Sequence, residues 1–233
     1  MISIPLYLTA EQSCSYLENR RSQSAMVDVD FGMSQHIYSH LIERGFRRSG
    51  QLVYAPHCQN CSACIACRIK PESFKLNRSQ KRCMQLHKDT EVVIKPCTYD
   101  ANHRELYDRY VHNRHAETAT TADSNEYMEF FGSQWCVTWM VEFYIKQQLA
   151  AVAVVDLLKD ALSAVYTFYD PDLKNHGLGT FAVLWQIAKA KELGMNYIYL
   201  GYWVKDSQKM DYKKNFRPLE VYVNQQWQDY TAD

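Results

Sequence analysis

Four cysteines stand at even spacing in YAPHCQNCSACIACRI, residues 54–69. Cys58, Cys61, Cys64 and Cys67 are each separated by two residues. A Cys-x2-Cys pair brings two thiolates within reach of one tetrahedral metal, which is zinc chemistry. The run also approaches the spacing that holds iron–sulfur clusters, but Arg68 follows Cys67 and the closing proline of that pattern is missing. The other reading of Cys58, Cys61 and Cys64 is small buried thiols that fill a core. Cys83, Cys97 and Cys136 are scattered and read as structural.

A second chemical stretch is RSQKR, residues 78–82. Read as extended backbone, it sends Arg78, Gln80 and Arg82 to one face and Ser79 and Lys81 to the other. Guanidinium forks in such a row grip carboxylate or phosphate, and the alternative is a solvated surface strand. GFRRSG adds Arg47 and Arg48. Between Arg47 and Arg82 eight basic residues face one acidic residue, Glu72, although the whole chain has a net charge of zero. A local basic patch therefore matters more here than the sum.

DLKNHGLGTF, residues 172–181, is a glycine-bearing loop opening a helix. Backbone N–H groups at Gly177 and Gly179 would suit an anion, or the loop is an ordinary turn. With the strand ending at FYDP before it, the loop resembles the acyl-donor motif of the GNAT-type N-acetyltransferase fold. That motif has Gln or Arg ahead of its glycines. Asn175 and His176 stand there instead, a departure from a coenzyme A site. YLGYWVKDSQKMDYKKNFRPLEVY, residues 199–222, is dense in aromatics and bases. Lys209, Lys213, Lys214 and Arg217 would contact a nucleic-acid backbone while Tyr202 and Trp203 stack on a base. Alternatively the aromatics are core and the lysines solvated.

The elements that position these residues read as α+β. Residues 11–46 read as coil and helix, with Ile37, Leu41 and Ile42 at helical spacing before Gly45. SGQLVYAP is a strand. The cysteine run is a loop or short helical turns, CRIKPESFKL a strand pair, and Val92–Lys95 a strand. Two helices over about residues 100–131 lead into three antiparallel strands within residues 137–170. GLGTFAVLWQIAKAKELG is a long helix, NYIYLGYW a strand, SQKMDYKKNF a short helix capped by Ser207, and LEVYVNQQW a final strand. This is a mixed sheet carrying helices, with a smaller cysteine-bearing region at residues 1–105 ahead of a second unit at 106–233. The N-terminus lacks a positive leader, and LAAVAVVDLL is shorter than the ~18 apolar residues of a span. A reducing, cytoplasmic setting is expected, with no membrane partner.

CSYL, YSHLIERGFRRSG, VYAPHCQNCSAC, RSQKR, AVYTFYDP, GLGTF, YLGYW and MDYKKNFRPLE together resemble the bacterial aspartate/glutamate leucyltransferases, relatives of the eukaryotic arginyl-tRNA–protein transferases. The likeness runs from about residue 5 to residue 230. It implies a cysteine-bearing N-terminal region packed on an acetyltransferase-like domain. It also implies transfer of leucine from leucyl-tRNA to the N-terminal amine of proteins beginning with Asp or Glu, marking them for N-degron proteolysis. On this resemblance Arg48, Arg78 and Arg82, with Gln80 beside them, would meet the acidic acceptor. Lys213, Lys214 and Arg217 would meet tRNA, Tyr169 and Tyr202 would shape the aminoacyl pocket or belong to the core, and Glu220 would orient the amine, take its proton or pair with a neighbouring Arg. No cofactor is required for the chemistry. Eukaryotic relatives carry Cys-x2-Cys near the N-terminus. Here Cys14 is present and Leu17 takes the second place, so Cys14, Cys58, Cys61 and Cys64 would supply four ligands to zinc or an iron–sulfur cluster. The competing expectations are an arginyl-tRNA donor, an acetyl-CoA-dependent N-acetyltransferase, and a metal-bearing RNA-binding module without activity.

Overall fold

The structure, a computed structural model, describes residues 3–114 and 124–231. The chain opens with β1 (Leu6–Leu8), a small hairpin of β2 (Gln12–Ser13) and β3 (Arg21–Ser22), and β4 (Ser24–Val27). Helix α1 (Gln35–Ile42) is capped by the Ser34 hydroxyl and followed by β5 (Arg47–Ser49) and β6 (Leu52–Pro56). Then come β7 (Ile65–Ile69), α2 (Arg78–Leu86), β8 (Glu91–Pro96), α3 (Ala101–Arg114) and α4 (Ser124–Phe131). β9 (Thr138–Ile145), β10 (Gln148–Leu157) and β11 (Ala161–Tyr169) form the expected antiparallel meander. α5 (Leu178–Glu192), β12 (Tyr197–Trp203), β13 (Glu220–Val223) and β14 (Gln226–Asp229) complete the described chain.

Among the described residues these strands make an eight-stranded mixed sheet, ordered β14-β13-β7-β12-β11-β10-β9-β8, and a four-stranded sheet, β1-β4-β6-β5. β10 is apolar on both faces because both are covered. Ala151, Ala153 and Val155 pack with Leu178, Phe181 and Ala182 of α5. Val152 and Val154 pack on the other side with Leu106 and Tyr110 of α3 and with Tyr127 and Phe131 of α4.

The acetyltransferase-like arrangement expected of the second unit is present. β11 and β12 are parallel and pair only over Ala161–Ser163 and Tyr197–Tyr199. Beyond that point β11 runs on to Tyr169 and β12 to Trp203 without pairing with each other, while β7 holds the opposite edge of β12, so a cleft opens between the strand ends. The division at residues 105 and 106 crosses the large sheet. β7 sits between β12 and β13, and β8 closes the far edge on β9. Burial of β7, whose IACRI is almost wholly covered, drives that insertion.

Several local expectations are corrected. RSQKR is the first turn of α2, not a strand. Asn77 accepts from the Gln80 N–H at 2.9 Å and Gln80 Oε1 accepts from the Asn77 N–H at 3.0 Å, a capping box that starts a helix. CRIKPESFKL supplies one strand, β7, and a 3-10 turn at Pro71–Ser73. The DYKKN segment is a 3-10 turn at Asp211–Asn215, with Met210 and not Ser207 at its cap position. The last strand is a hairpin, because Asn224 and Gln225 both take positive φ (51° and 60°) and turn the chain back. Residues 11–46 contain short strands besides the helix.

Candidate active site

The cleft between the ends of β11 and β12 holds a cavity of about 560 Å³. Leu178 and Val183 of α5, Leu200 of β12, Ala164 and Val165 of β11, and Phe130 of α4 give it apolar walls. Tyr16 and Tyr54 reach it from the N-terminal third, and Tyr110, Tyr166 and Tyr169 from the other side. Its charged lining is one-signed. Arg47, Arg48 and Lys213 are buried and Lys174 and Lys209 exposed, while no carboxylate lines it among the described residues.

Gly201 shapes the floor. It lies at a bulge where β12 slips against β7, with φ at +81°. A Cβ there would stand 3.5 Å from Lys213 Nζ and 3.7 Å from Arg47 Nε and Nη2. Both cations therefore crowd the space that the missing side chain leaves. Lys213 Nζ donates to the Tyr202 carbonyl at 2.6 Å, and Arg47 Nη2 donates to the Ala164 carbonyl at 2.5 Å. Burial first, and the Arg47 charge as well, pull the Lys213 ammonium down from 10.5 to about 8, against the opposing pull of the Cys67 and Cys64 thiols.

The glycine turn forms the opposite lip. Gly177 sits at φ +67° and serves as the N-terminal cap position of α5. Gly179 leaves room for Tyr169, whose ring carbon would lie 3.6 Å from an added Cβ. Helix α2 buttresses this turn. Cys83 Sγ lies 3.7 Å from the Gly177 carbonyl, His87 Nε2 lies 2.8 Å from the His176 carbonyl, and the His87 ring stacks on Phe181. RSQKR therefore does stand beside GLGTF and, through Gln80, beside the turn carrying Lys213.

The predicted site residues divide accordingly. Tyr169, Tyr202, Lys213, Gly177 and Gly179 line the cavity. Lys213 is buried at the floor, however, and not on an outer tRNA-facing groove. The Tyr202 hydroxyl donates to the Gly45 carbonyl at 2.8 Å, and burial holds its pKa well above the ordinary phenol value, so it anchors the α1–β5 turn and stays protonated. Arg48 touches the cavity, but its guanidinium is used up inside the protein. It forks onto Asp156 at 2.5 and 2.7 Å, with further bonds to Thr138 and the Gly50 carbonyl. Glu220 lies away from the cavity, bound to Lys70 at 2.6 Å and Arg68 at 2.7 Å. The Arg68 guanidinium lies 3.6 Å from the Tyr197 ring centroid and 4.2 Å from that of Trp227, so Glu220 pairs with an arginine, the last of the three roles expected of it, outside the cavity. Gln80 is consumed by its capping box and by a bond to the Asn215 carbonyl. Arg78 and Arg82 are exposed on α2 outside the cavity. Lys214 pairs with Asp211 at 2.5 Å, and Arg217 lies over the Tyr230 ring.

Cys14, Cys58, Cys61 and Cys64 gather in one neighbourhood. Burial pushes the Cys64 thiol up to about 12, and the charges that Cys14, Cys58 and Cys61 would carry push it the same way. A four-thiol donor set suits a soft metal. Among the described residues, the ligand atoms that lie within 4.8 Å of one another as a group of three belong to Asp100, His103 and Glu142, not to these cysteines. At that acidic group Lys95 and His103 already bond Glu142, at 2.7 and 2.5 Å.

Residues 12–82 match the family model described as "Arginine-tRNA-protein transferase, N terminus", and residues 102–223 match the one described as its C terminus. The chain belongs to the arginine-tRNA-protein transferase family. An aspartate/glutamate leucyltransferase of Nitrosococcus oceani is 44% identical over 95% of this chain and 94% of its own length. One of Teredinibacter turnerae is 42% identical over 97% of this chain and 94% of its own length. Among the solved structures similar to the chain at 10% identity, two stand as examples. They are L-PGS from Bacillus licheniformis (TM-score 0.45, 61% of this chain and 47% of that one) and a tandem GNAT protein from the clavulanic acid biosynthesis pathway (TM-score 0.41, 78% and 54%).

In this transferase the cavity floor joins both family segments, Arg47 from the first and Lys213 from the second. Sequence reasoning passes over Arg47 in favour of its neighbour. The signal available is alternation: on a strand Arg47 and Arg48 point to opposite faces, so only one of them can take an internal acid while the other turns to the cleft. Tyr16 and Tyr54 carry no local signal of their place.

Proposed function

We propose that the protein transfers leucine from leucyl-tRNA to the N-terminal amine of proteins that begin with Asp or Glu. The observation that carries this reading is the cavity lining, which is apolar and cationic with no carboxylate among the described residues. A leucyl side chain finds Leu178, Val183 and Leu200 there, whereas an arginyl side chain would meet cations and no acid. The relatives' names, aspartate/glutamate leucyltransferase, support the same donor.

Chemically the site has little to supply beyond placement. The donor ester is already activated, so holding amine and ester together contributes most of the acceleration. An unperturbed α-amine titrates near ~7.7–8.0, which leaves a useful neutral fraction to attack without a strong base. The opening turn of α5, at Leu178 and Gly179, offers backbone N–H groups toward charge that develops on the ester oxygen. Exposed Arg78, Arg82 and Arg217 supply positive charge for the acceptor arm of the tRNA.

Zinc or an iron–sulfur cluster at Cys14, Cys58, Cys61 and Cys64 would brace the N-terminal region. None of these cysteines lines the cavity, so the group would stand apart from the transfer site. Metal analysis of anaerobically purified protein that finds neither zinc nor iron would remove this part.

The deciding experiment mixes leucyl-tRNA and arginyl-tRNA, each with its own radiolabel, with a reporter beginning with Asp. Incorporation of leucine in preference to arginine is expected. Preferential arginine incorporation would overturn the donor assignment, and transfer of neither would overturn the reading.

A further inference from the structure

Two buried cations meet at the floor of the cavity without an acid. The other buried guanidinium groups among the described residues each have one: Arg48 pairs with Asp156 and Arg68 with Glu220. Arg47 and Lys213 are only 7% and 6% exposed, and among the described residues neither takes part in an ion pair. Lys213 Nζ has the Tyr202 carbonyl and, at 3.6 Å, the Met210 sulfur. Arg47 commits Nη2 to the Ala164 carbonyl, while its Nη1 is buried with no hydrogen-bond partner. Burying one unpaired charge is strongly unfavourable, and two of the same sign side by side more so. Both stand against the bare face of Gly201, 3.5 and 3.7 Å from where its Cβ would lie, so an anion entering the cavity there would meet both charges.

The place limits what the anion is. The pair lies at the bottom of a cavity and is nearly covered, so a single small group reaches it, whereas a nucleic-acid backbone meets the exposed bases outside. We propose that Arg47 and Lys213 form the carboxylate subsite that selects acceptor proteins by an acidic first side chain, an assignment that rests on the leucyl-transfer reading above. A carboxylate seated there takes the unpartnered N–H of Arg47 and a proton donor of Lys213. A neutral amide of the same shape leaves both charges uncompensated, so Asp and Glu are separated from Asn and Gln by the cations rather than by fit.

The test is steady-state transfer from leucyl-tRNA to four reporters that differ only in their first residue, Asp, Glu, Asn or Gln. Wild type, Lys213→Met, Lys213→Arg and Arg47→Lys are compared, with leucyl-tRNA binding measured separately. For Lys213→Met the KM for Asp and Glu reporters is expected to rise about tenfold or more. The Asp-over-Asn preference falls by the same factor, and leucyl-tRNA affinity stays within about twofold. Lys213→Arg keeps most of the preference. If wild type transfers leucine but Lys213→Met slows Asp and Asn reporters equally, the subsite is overturned. It is also overturned if tRNA binding weakens and the preference stays, because the anion is then a tRNA phosphate. If wild type transfers nothing to any reporter, the functional reading fails instead. Chemical labelling of Lys213 in the wild-type chain gives an answer that needs no variant to fold. An Asp-initiated dipeptide slows the labelling and its Asn counterpart does not; equal labelling overturns the assignment.

Discussion

The side-chain amide of Gln80 donates to the backbone carbonyl of Asn215 at 3.1 Å, across 135 residues of sequence. The same side chain closes the capping box of α2 with its oxygen. One residue therefore starts the helix that props the glycine turn and pins the turn that carries Lys213. Gln80→Ala should cost about 1–2 kcal/mol in urea unfolding and lower transfer as well. Gln80→Glu keeps the cap acceptor but sets a carboxylate against the Asn215 carbonyl. It should retain more helix stability than the alanine variant yet transfer no better.

Arg48 and Asp156 are both fully buried and joined by a two-pronged bond that fastens the small sheet to the large one. Removing one partner strands the other charge in the interior. Arg48→Met should lose roughly 3–5 kcal/mol in denaturant titration, far more than an exposed arginine would. A loss below about 1 kcal/mol would show that the pair adds little.

Lys213 should be a stability liability. Its ammonium titrates near 8 in the folded chain against 10.5 as the ordinary value. The unfolded chain thus holds the proton more tightly, and stability rises as pH climbs from about 8 to 10.5. Below 8 the penalty is fully present, worth roughly 3 kcal/mol before the hydrogen bond to Tyr202 is counted. Lys213→Met should therefore be more stable than wild type at pH 7, and the gain should fade above pH 10. Urea titrations at the two pH values read this directly.

Glu220 behaves in the opposite sense. Burial pushes its carboxyl up, but the Lys70 and Arg68 bonds outweigh that and hold it below 4.5. Its contribution is present above pH 4.5 and is lost as pH falls through the lowered value. Glu220→Gln should flatten the acid limb of the stability curve while leaving the Asp-over-Asn preference untouched.

Arg78 and Arg82 are exposed and outside the cavity. The double alanine variant should unfold within about 0.5 kcal/mol of wild type. Its leucyl-tRNA affinity should fall, with a salt dependence shallower by about 0.7–0.9 per lost phosphate contact. An unchanged salt slope would place the tRNA elsewhere.

Local pattern made the second half of the fold readable. The apolar run of β10, the glycine opening of α5 and the alternation of β12 each state their element in a few residues. RSQKR misleads because its basic spacing suggests a strand, while the stronger message is Asn77 with Gln80 three residues on. The site is harder to read. Whether Arg47 or Arg48 faces the cleft depends on Asp156, 108 residues away, and Glu220 is neutralised by Arg68, 152 residues away. No local rule sees such partners. The cysteine run draws the eye but stands outside the cavity, and the glycine at 201, whose bulge opens the floor, looks like any strand interruption.

The insertion of β7 between β12 and β13 also bears on how the chain is made. During synthesis this strand leaves the ribosome with neither neighbour yet translated, and it must wait for more than half the protein before its edges are covered. A fragment that begins after Ile69 would lack the middle of its own sheet, so cutting this enzyme into separately expressed halves at the family-segment boundary should yield two pieces that need each other to fold.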